Sequence, residues 1–159
     1  MNTNKIKRII KYCFSAIGIL LFIIVLLGYT NLGNLPIKEN QKNHFLTIGS
    51  EKIRISQKGE GKDILLIHGT PGSIEDWNGI IDSLSKDYRV TAFDRLGHGF
   101  SSSNQYNYHI KDNAILVENL IKQLGLKSPL IVGHSYGGSI VAFMAVNSEL
   151  KNIEYIIID

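Results

Sequence analysis

Cysteine and proline are scarce in this chain, and so is charge in its first third. The single cysteine, Cys13, excludes an internal disulfide, a thiolate metal cluster and a redox pair. With only three prolines and no repeated stretch, the chain holds no low-complexity tract and no internal repeat. From Tyr12 to Ile37 there is no Asp, Glu, Lys or Arg, and within that gap the run from Ile17 to Leu27 is almost wholly Ile, Leu, Val and Phe. One further absence bears on chemistry: no histidine follows Ser135.

A bilayer core of roughly 30 Å needs about 20 helical residues, and Tyr12 to Tyr29 nearly supplies them, with a tyrosine near each end. Lys5, Lys7, Arg8 and Lys11 all precede the segment. The positive-inside bias therefore predicts a single-pass protein with its N-terminus in the cytoplasm and the rest outside. Gly28, Tyr29, Thr30 and Asn31 follow the apolar run in place of an Ala-x-Ala-like site, which favours an uncleaved signal anchor over a signal peptide. A buried core helix is the remaining alternative. The expected organisation is a basic cytoplasmic tail at 1–11, a transmembrane signal anchor at 12–29, a linker at 30–43 and a folded domain at 44–159. From Lys38 onward 13 basic residues face 14 acidic ones, so the domain is not basic and nothing supports nucleic-acid binding.

Within the domain, Phe45 to Ile48 and Lys52 to Ser56 alternate apolar and polar around Gly49-Ser50, which predicts an antiparallel hairpin. Asp63 to Ile67, Arg89 to Phe93, Pro129 to Val132 and Ile153 to Ile158 are continuous apolar runs, as expected for strands covered on both faces. Between them lie helical patterns. The first is Ser73 to Leu84, with Ser73 and Asp76 as a cap and Trp77, Ile80, Ile81 and Leu84 as a stripe. The second is Ile110 to Leu124, with Gly125 as its stop, and the third is Gly137 to Val146. Strands alternating with helices predict an α/β fold, a mostly parallel sheet with helices on both faces. Its strand-to-helix turns would share one edge, where ligands bind.

Three glycine-containing turns end three of these strands. Gly133-His134-Ser135-Tyr136-Gly137 lies directly between a strand and a helix, where a serine is held in strained geometry with its hydroxyl exposed. The helix start supplies backbone N–H groups suited to a developing oxyanion. His68-Gly69-Thr70-Pro71-Gly72 reads either as a backbone approach to a substrate oxygen or as a tight turn shaped by Pro71. Asp94-Arg95-Leu96-Gly97-His98-Gly99-Phe100-Ser101 reads as structural, with Asp94 and Arg95 tying the loop and Gly97 and Gly99 permitting sharp bends.

In this order the three motifs resemble the N-terminal half of the α/β-hydrolase superfamily, in the branch with a His-Gly-x-Pro turn; the likeness runs from about His44 to Asp159. The resemblance implies a serine hydrolase with Ser135 as nucleophile and the backbone N–H groups of Thr70 and Tyr136 as oxyanion hole. His68, Gly69, Asp94, Gly97, Gly99, Gly133 and Gly137 would complete its structural motifs. Members that open epoxides or remove halides carry Asp at the nucleophile position, so Ser135 argues against those activities. The implied substrate is a small ester or amide, with no cofactor and no metal.

The chain departs from the family where a base is needed, because serine attack requires a histidine oriented by a carboxylate. Of the five histidines, His44 and His109 are expected far from the site, His134 points away, and His68 bonds backbone; His98 is the one candidate substitute. The expectation is thus a sheet truncated after its sixth strand, in a partial sequence or a prematurely ended reading frame. The alternatives are a catalytically inactive binding or assembly module that pairs through the Ile153 to Ile158 edge, and a non-functional remnant.

Overall fold

The computed structural model describes residues 3–31, 44–102 and 109–159. The chain divides into two units, Met1–Asn40 and Gln41–Asp159.

The first unit contains one long helix, α1 (Thr3–Asn31). Every described side chain from Phe14 to Leu27 is exposed. The expected membrane-crossing helix is not confirmed: among the described residues no helix is long and apolar enough to cross a membrane. The expected linker lies outside the described residues, apart from its first two positions, which close α1.

The second unit is a six-stranded sheet flanked by helices. Strands β1 (His44–Ile48) and β2 (Glu51–Lys58) form the expected antiparallel hairpin, and Gly49 takes the positive φ of 61° that the tight turn requires. The others are β3 (Lys62–Ile67), β4 (Tyr88–Phe93), β5 (Leu130–His134) and β6 (Glu154–Ile158). Their spatial order is β1-β2-β4-β3-β5-β6, with β4, β3, β5 and β6 mutually parallel and β2 antiparallel to β4. Strand β3 is central, and the chain leaves it first toward β4 and later returns to β5 on its other side. A sheet that reverses its winding direction in this way opens a crevice at the carboxyl ends of its strands.

Helices α3 (Ile110–Leu124) and α4 (Tyr136–Asn147) cover one face, packing Val117, Leu120 and Ile140 against Leu65, Ile67 and Ile131. The other face buries Ile64, Leu66, Val90 and Ala92 under Ile74, Trp77 and Ile81. Alternate residues of β3 thus enter opposite cores, which is why its sequence is apolar without a break; each such Ile or Leu contributes about 2 kcal/mol.

The expected helix at Ser73 to Leu84 begins instead as a 3-10 turn, Ile74–Trp77, followed by α2 (Asn78–Leu84). The Asp76 carboxylate does accept the Ser73 N–H at 3.2 Å. The tighter first turn resets the phase, so the buried stripe starts at Ile74 and continues through Trp77 and Ile81, while Ile80 is 43% exposed. Helix α3 ends on Gly125 at φ 60°, as its glycine stop predicts. Strand β6 pairs with β5 on one side only, and Ile156, Ile157 and Ile158 are exposed along it.

Candidate active site

Ile67 of β3 is in register with Phe93 of β4 and with Gly133 of β5. The three strands therefore end level, and the turns that follow them meet at one edge of the sheet although up to about 70 residues separate them.

Ser135 joins β5 to α4 with φ 51° and ψ −116°, a conformation that side chains avoid. Its backbone is held on both sides. The Ser135 N–H donates to the Ile158 carbonyl at 2.9 Å, and its carbonyl accepts from Gly138 N–H at 2.8 Å. The residue itself is exposed at the N-terminus of α4. The close approach of strand and helix demands small neighbours: a Cβ on Gly133 would collide with the Gly137 carbonyl, one on Gly137 with the Ile67 carbonyl, and one on Gly138 would lie 2.7 Å from Ile157 Cγ2.

The first turn lies against this elbow. A Cβ on Gly69 would stand 3.0 Å from Ser135 Cβ and 3.2 Å from His134 Nδ1, so only glycine lets the Gly69-Thr70 backbone come this near. His68 is fully buried. Its Nδ1 donates to the Gly69 carbonyl at 2.8 Å, and its Nε2 accepts the Arg95 N–H at 3.0 Å. Burial drives its pKa down to about 4; the bond to the Gly69 carbonyl opposes that fall and the Arg95 charge adds to it. It is a neutral structural imidazole with both nitrogens engaged.

The second loop differs from expectation. Asp94 and Arg95 do not tie it by pairing with each other, because consecutive residues leave the strand in opposite directions. Asp94, fully buried, pairs with Arg54 of β2 at 3.1 Å and accepts the N–H groups of Ile74 and Phe100, each at 2.8 Å. Gly97 and Gly99 take φ of 69° and 52°, and a Cβ on Gly99 would strike the Asp94 carboxylate. Ser101 closes the loop, donating to the Asp94 carbonyl at 2.7 Å and accepting the Arg54 N–H at 2.9 Å. Arg54 also binds Glu75, whose carboxyl it holds down to about 2 by hydrogen bonding. In the sequence Arg54 occupies a polar position of an alternating strand, between Ile53 and Ile55, so nothing local marks it as buried.

Arg95 turns the other way, into the first turn, where it binds the carbonyls of His68 and Gly69 and the Thr70 hydroxyl. His98 lies there too. Its Nδ1 donates to the Leu96 carbonyl at 3.0 Å, while its Nε2 faces Arg95 Nη2 at 3.1 Å and Thr70 Oγ1 at 3.4 Å. With both nitrogens occupied, the one candidate substitute base is not poised for Ser135. His134 is exposed, and its ring meets the Trp77 ring edge-on at 6.4 Å between centroids. His44 opens β1 and His109 precedes α3. Among the described residues no histidine hydrogen-bonds to the Ser135 hydroxyl, and no group of three or more His, Cys, Asp or Glu could hold a metal ion.

A doubly covered, mostly parallel sheet with a strained serine between its fifth strand and the next helix defines a class of protein. A family model described as alpha/beta hydrolase fold matches residues 63–152, more than half of the chain, and the chain belongs to that family. It is 32% identical over 105 residues to the dihydrolipoyllysine-residue acetyltransferase component of the acetoin cleaving system of Cupriavidus necator, covering 65% of this chain and 28% of that protein. It is 36% identical over 85 residues to a non-heme haloperoxidase of Rhodococcus erythropolis, covering 53% of this chain and 31% of that protein. Among solved structures, a bromoperoxidase from Bacillus anthracis superposes with a TM-score of 0.67 at 31% identity, covering 72% of this chain and 43% of the other. The chain thus spans less than a third of the length of these two curated relatives.

Proposed function

We propose that this chain carries the nucleophile and oxyanion hole of a serine hydrolase acting on a small ester or amide. Ser135 Oγ bonds to the acyl carbon, the carbonyl oxygen becomes an oxyanion received by the N–H groups of Thr70 and Tyr136, and as the bond to the leaving group breaks the alcohol or amine departs with the proton given up by the Ser135 hydroxyl. Water then releases the acid from the acyl-enzyme. The observation that carries this reading is an exposed serine at φ 51° on the first turn of α4, with the Gly69 backbone against it. No cofactor enters the proposed reaction.

The histidine base of the full reaction is not assigned to any of the five in this chain. An oxyanion hole and binding alone still give about 10³-fold acceleration over water, so Ser135 should react slowly in its absence. The test is labelling of the full chain by a fluorophosphonate, with mapping of the adduct. A Ser135 adduct that disappears in Ser135→Ala is expected; no adduct at Ser135 above background would overturn the reading.

Tethering to a membrane through α1, with the hydrolase domain on the extracytoplasmic side, is part of the same proposal. Its support is the charge-free run from Tyr12 to Ile37 behind four basic residues. Flotation with anionic phospholipid vesicles tests it, and recovery of the chain entirely in the vesicle-free fraction would refute it. A second reading, a binding module docking through β6, is favoured by the exposed Ile156, Ile157 and Ile158. A chain that stays monomeric at high concentration in detergent and captures no strand peptide would eliminate it.

A further inference from the structure

Arg95 is 1% exposed, yet no carboxylate is ion-paired with it among the described residues. Burial lowers its pKa to about 10, so it remains a cation at neutral pH. A buried cation without a counter-ion is costly unless its donors are well placed. Three of its hydrogen bonds go to the first turn, and Nη2 also faces His98 Nε2 at 3.1 Å. Nε donates to the His68 carbonyl at 3.0 Å; Nη2 donates to the Gly69 carbonyl at 2.8 Å and to Thr70 Oγ1 at 2.5 Å. The guanidinium carbon lies over the Tyr136 ring, 4.7 Å from its centre.

One guanidinium therefore touches both segments that carry the proposed oxyanion donors. Its effect on Thr70 follows from peptide planarity. The Gly69-Thr70 bond is trans, so its C=O and N–H point in opposite directions. With the Gly69 carbonyl held by Arg95 and by His68 Nδ1, the Thr70 N–H is aimed away from both. The cation–π contact with Tyr136 ties the same guanidinium to the start of α4. A lysine could not reproduce this, having neither the planar fork nor the stacking face.

We propose that Arg95 is a positioning residue that orients the Thr70 N–H and locks the first turn to the nucleophile elbow as one anion-receiving unit. The use of those N–H groups rests on the serine-hydrolase reading above; the mechanical tie does not. It also follows that the turn and the elbow loosen together when Arg95 is lost, although 66 positions separate Thr70 from Tyr136.

The test compares the full chain with Arg95→Met, which keeps the stem but not the charge, and Arg95→Lys, which keeps the charge but not the fork. Amide hydrogen exchange is followed in segments 66–72 and 134–140 and in the strand interiors of β3 and β5. In both variants exchange should rise about tenfold or more in the two segments, while the strand amides change little. Saturation kinetics of fluorophosphonate labelling should show the limiting rate falling by about 10² with little change in the half-saturating concentration, as for loss of an aimed oxyanion donor. Unchanged exchange in both segments would overturn the proposal, as would a uniform loss of protection throughout the sheet in both variants. If the parent chain gives no Ser135 adduct, the serine-hydrolase reading fails, and the exchange measurement still decides whether Arg95 makes the tie.

Discussion

The carbonyl oxygen of Ile67, at the end of β3, occupies the space that a side chain on Gly137 would need. Helix α4 therefore starts against the backbone of the neighbouring strand, and the elbow exists only while Gly137 has no Cβ. Gly137→Ala should cost about 2 to 4 kcal/mol, because backbone rather than a flexible side chain must move. Gly79→Ala is the control: nothing lies within 4 Å of its Cβ, and it should be neutral or stabilising by up to about 1 kcal/mol. Urea unfolding of both variants compares the two.

Ser135 sits at φ 51° and ψ −116°. Glycine tolerates that region, so Ser135→Gly should stabilise the domain by about 1 kcal/mol while abolishing the fluorophosphonate adduct. A thermal melt alongside the labelling assay checks both. Loss of stability in this variant would mean that the serine side chain is itself a structural contact.

Acid stability should report His68. Its folded pKa, about 4, lies below the ordinary value of 6.5, so the unfolded chain binds the proton more readily. The contribution is fully present above pH 6.5, declines as pH falls, and is lost once pH drops through 4. A shift of this size corresponds to at most about 3 kcal/mol. His68→Asn should unfold less steeply between pH 6.5 and 4 than the parent, measured as the denaturant midpoint at each pH.

The Arg54 network separates buried from exposed partners. Asp94→Ala removes a fully buried acceptor of Arg54 and of two backbone N–H groups, and should cost about 3 to 5 kcal/mol. The Glu75 side chain is 44% exposed, and Glu75→Gln should cost no more than about 1 kcal/mol. Equal effects in chemical denaturation would contradict this division.

Much of this arrangement could be read from the chain before any coordinates. The unbroken Ile-Leu-Leu-Ile of β3 needs two covered faces, and the glycines around Ser135 mark a close strand-to-helix turn. The exposure of Ile80 was not legible, because the 3-10 turn that shifts the stripe is chosen by packing of Ile74 and Trp77 against the sheet. Nor were the partners of Asp94 and Arg95. Their adjacency suggested a mutual tie, but the directions in which side chains leave a strand end depend on what packs above and below it.

By itself the sequence determined the alternation of strands and helices, the elbow serine and the three turns, because periodicity and glycine placement are local properties. It also determined that these 159 residues hold no histidine after Ser135. Only the tertiary structure decided that Ile67, Phe93 and Gly133 end level, that Arg54 serves Asp94, and that Arg95 joins Thr70 to Tyr136. Those relations link positions 25 to 66 residues apart. They are set by sheet register and by where buried charge finds donors and acceptors, which no local pattern encodes.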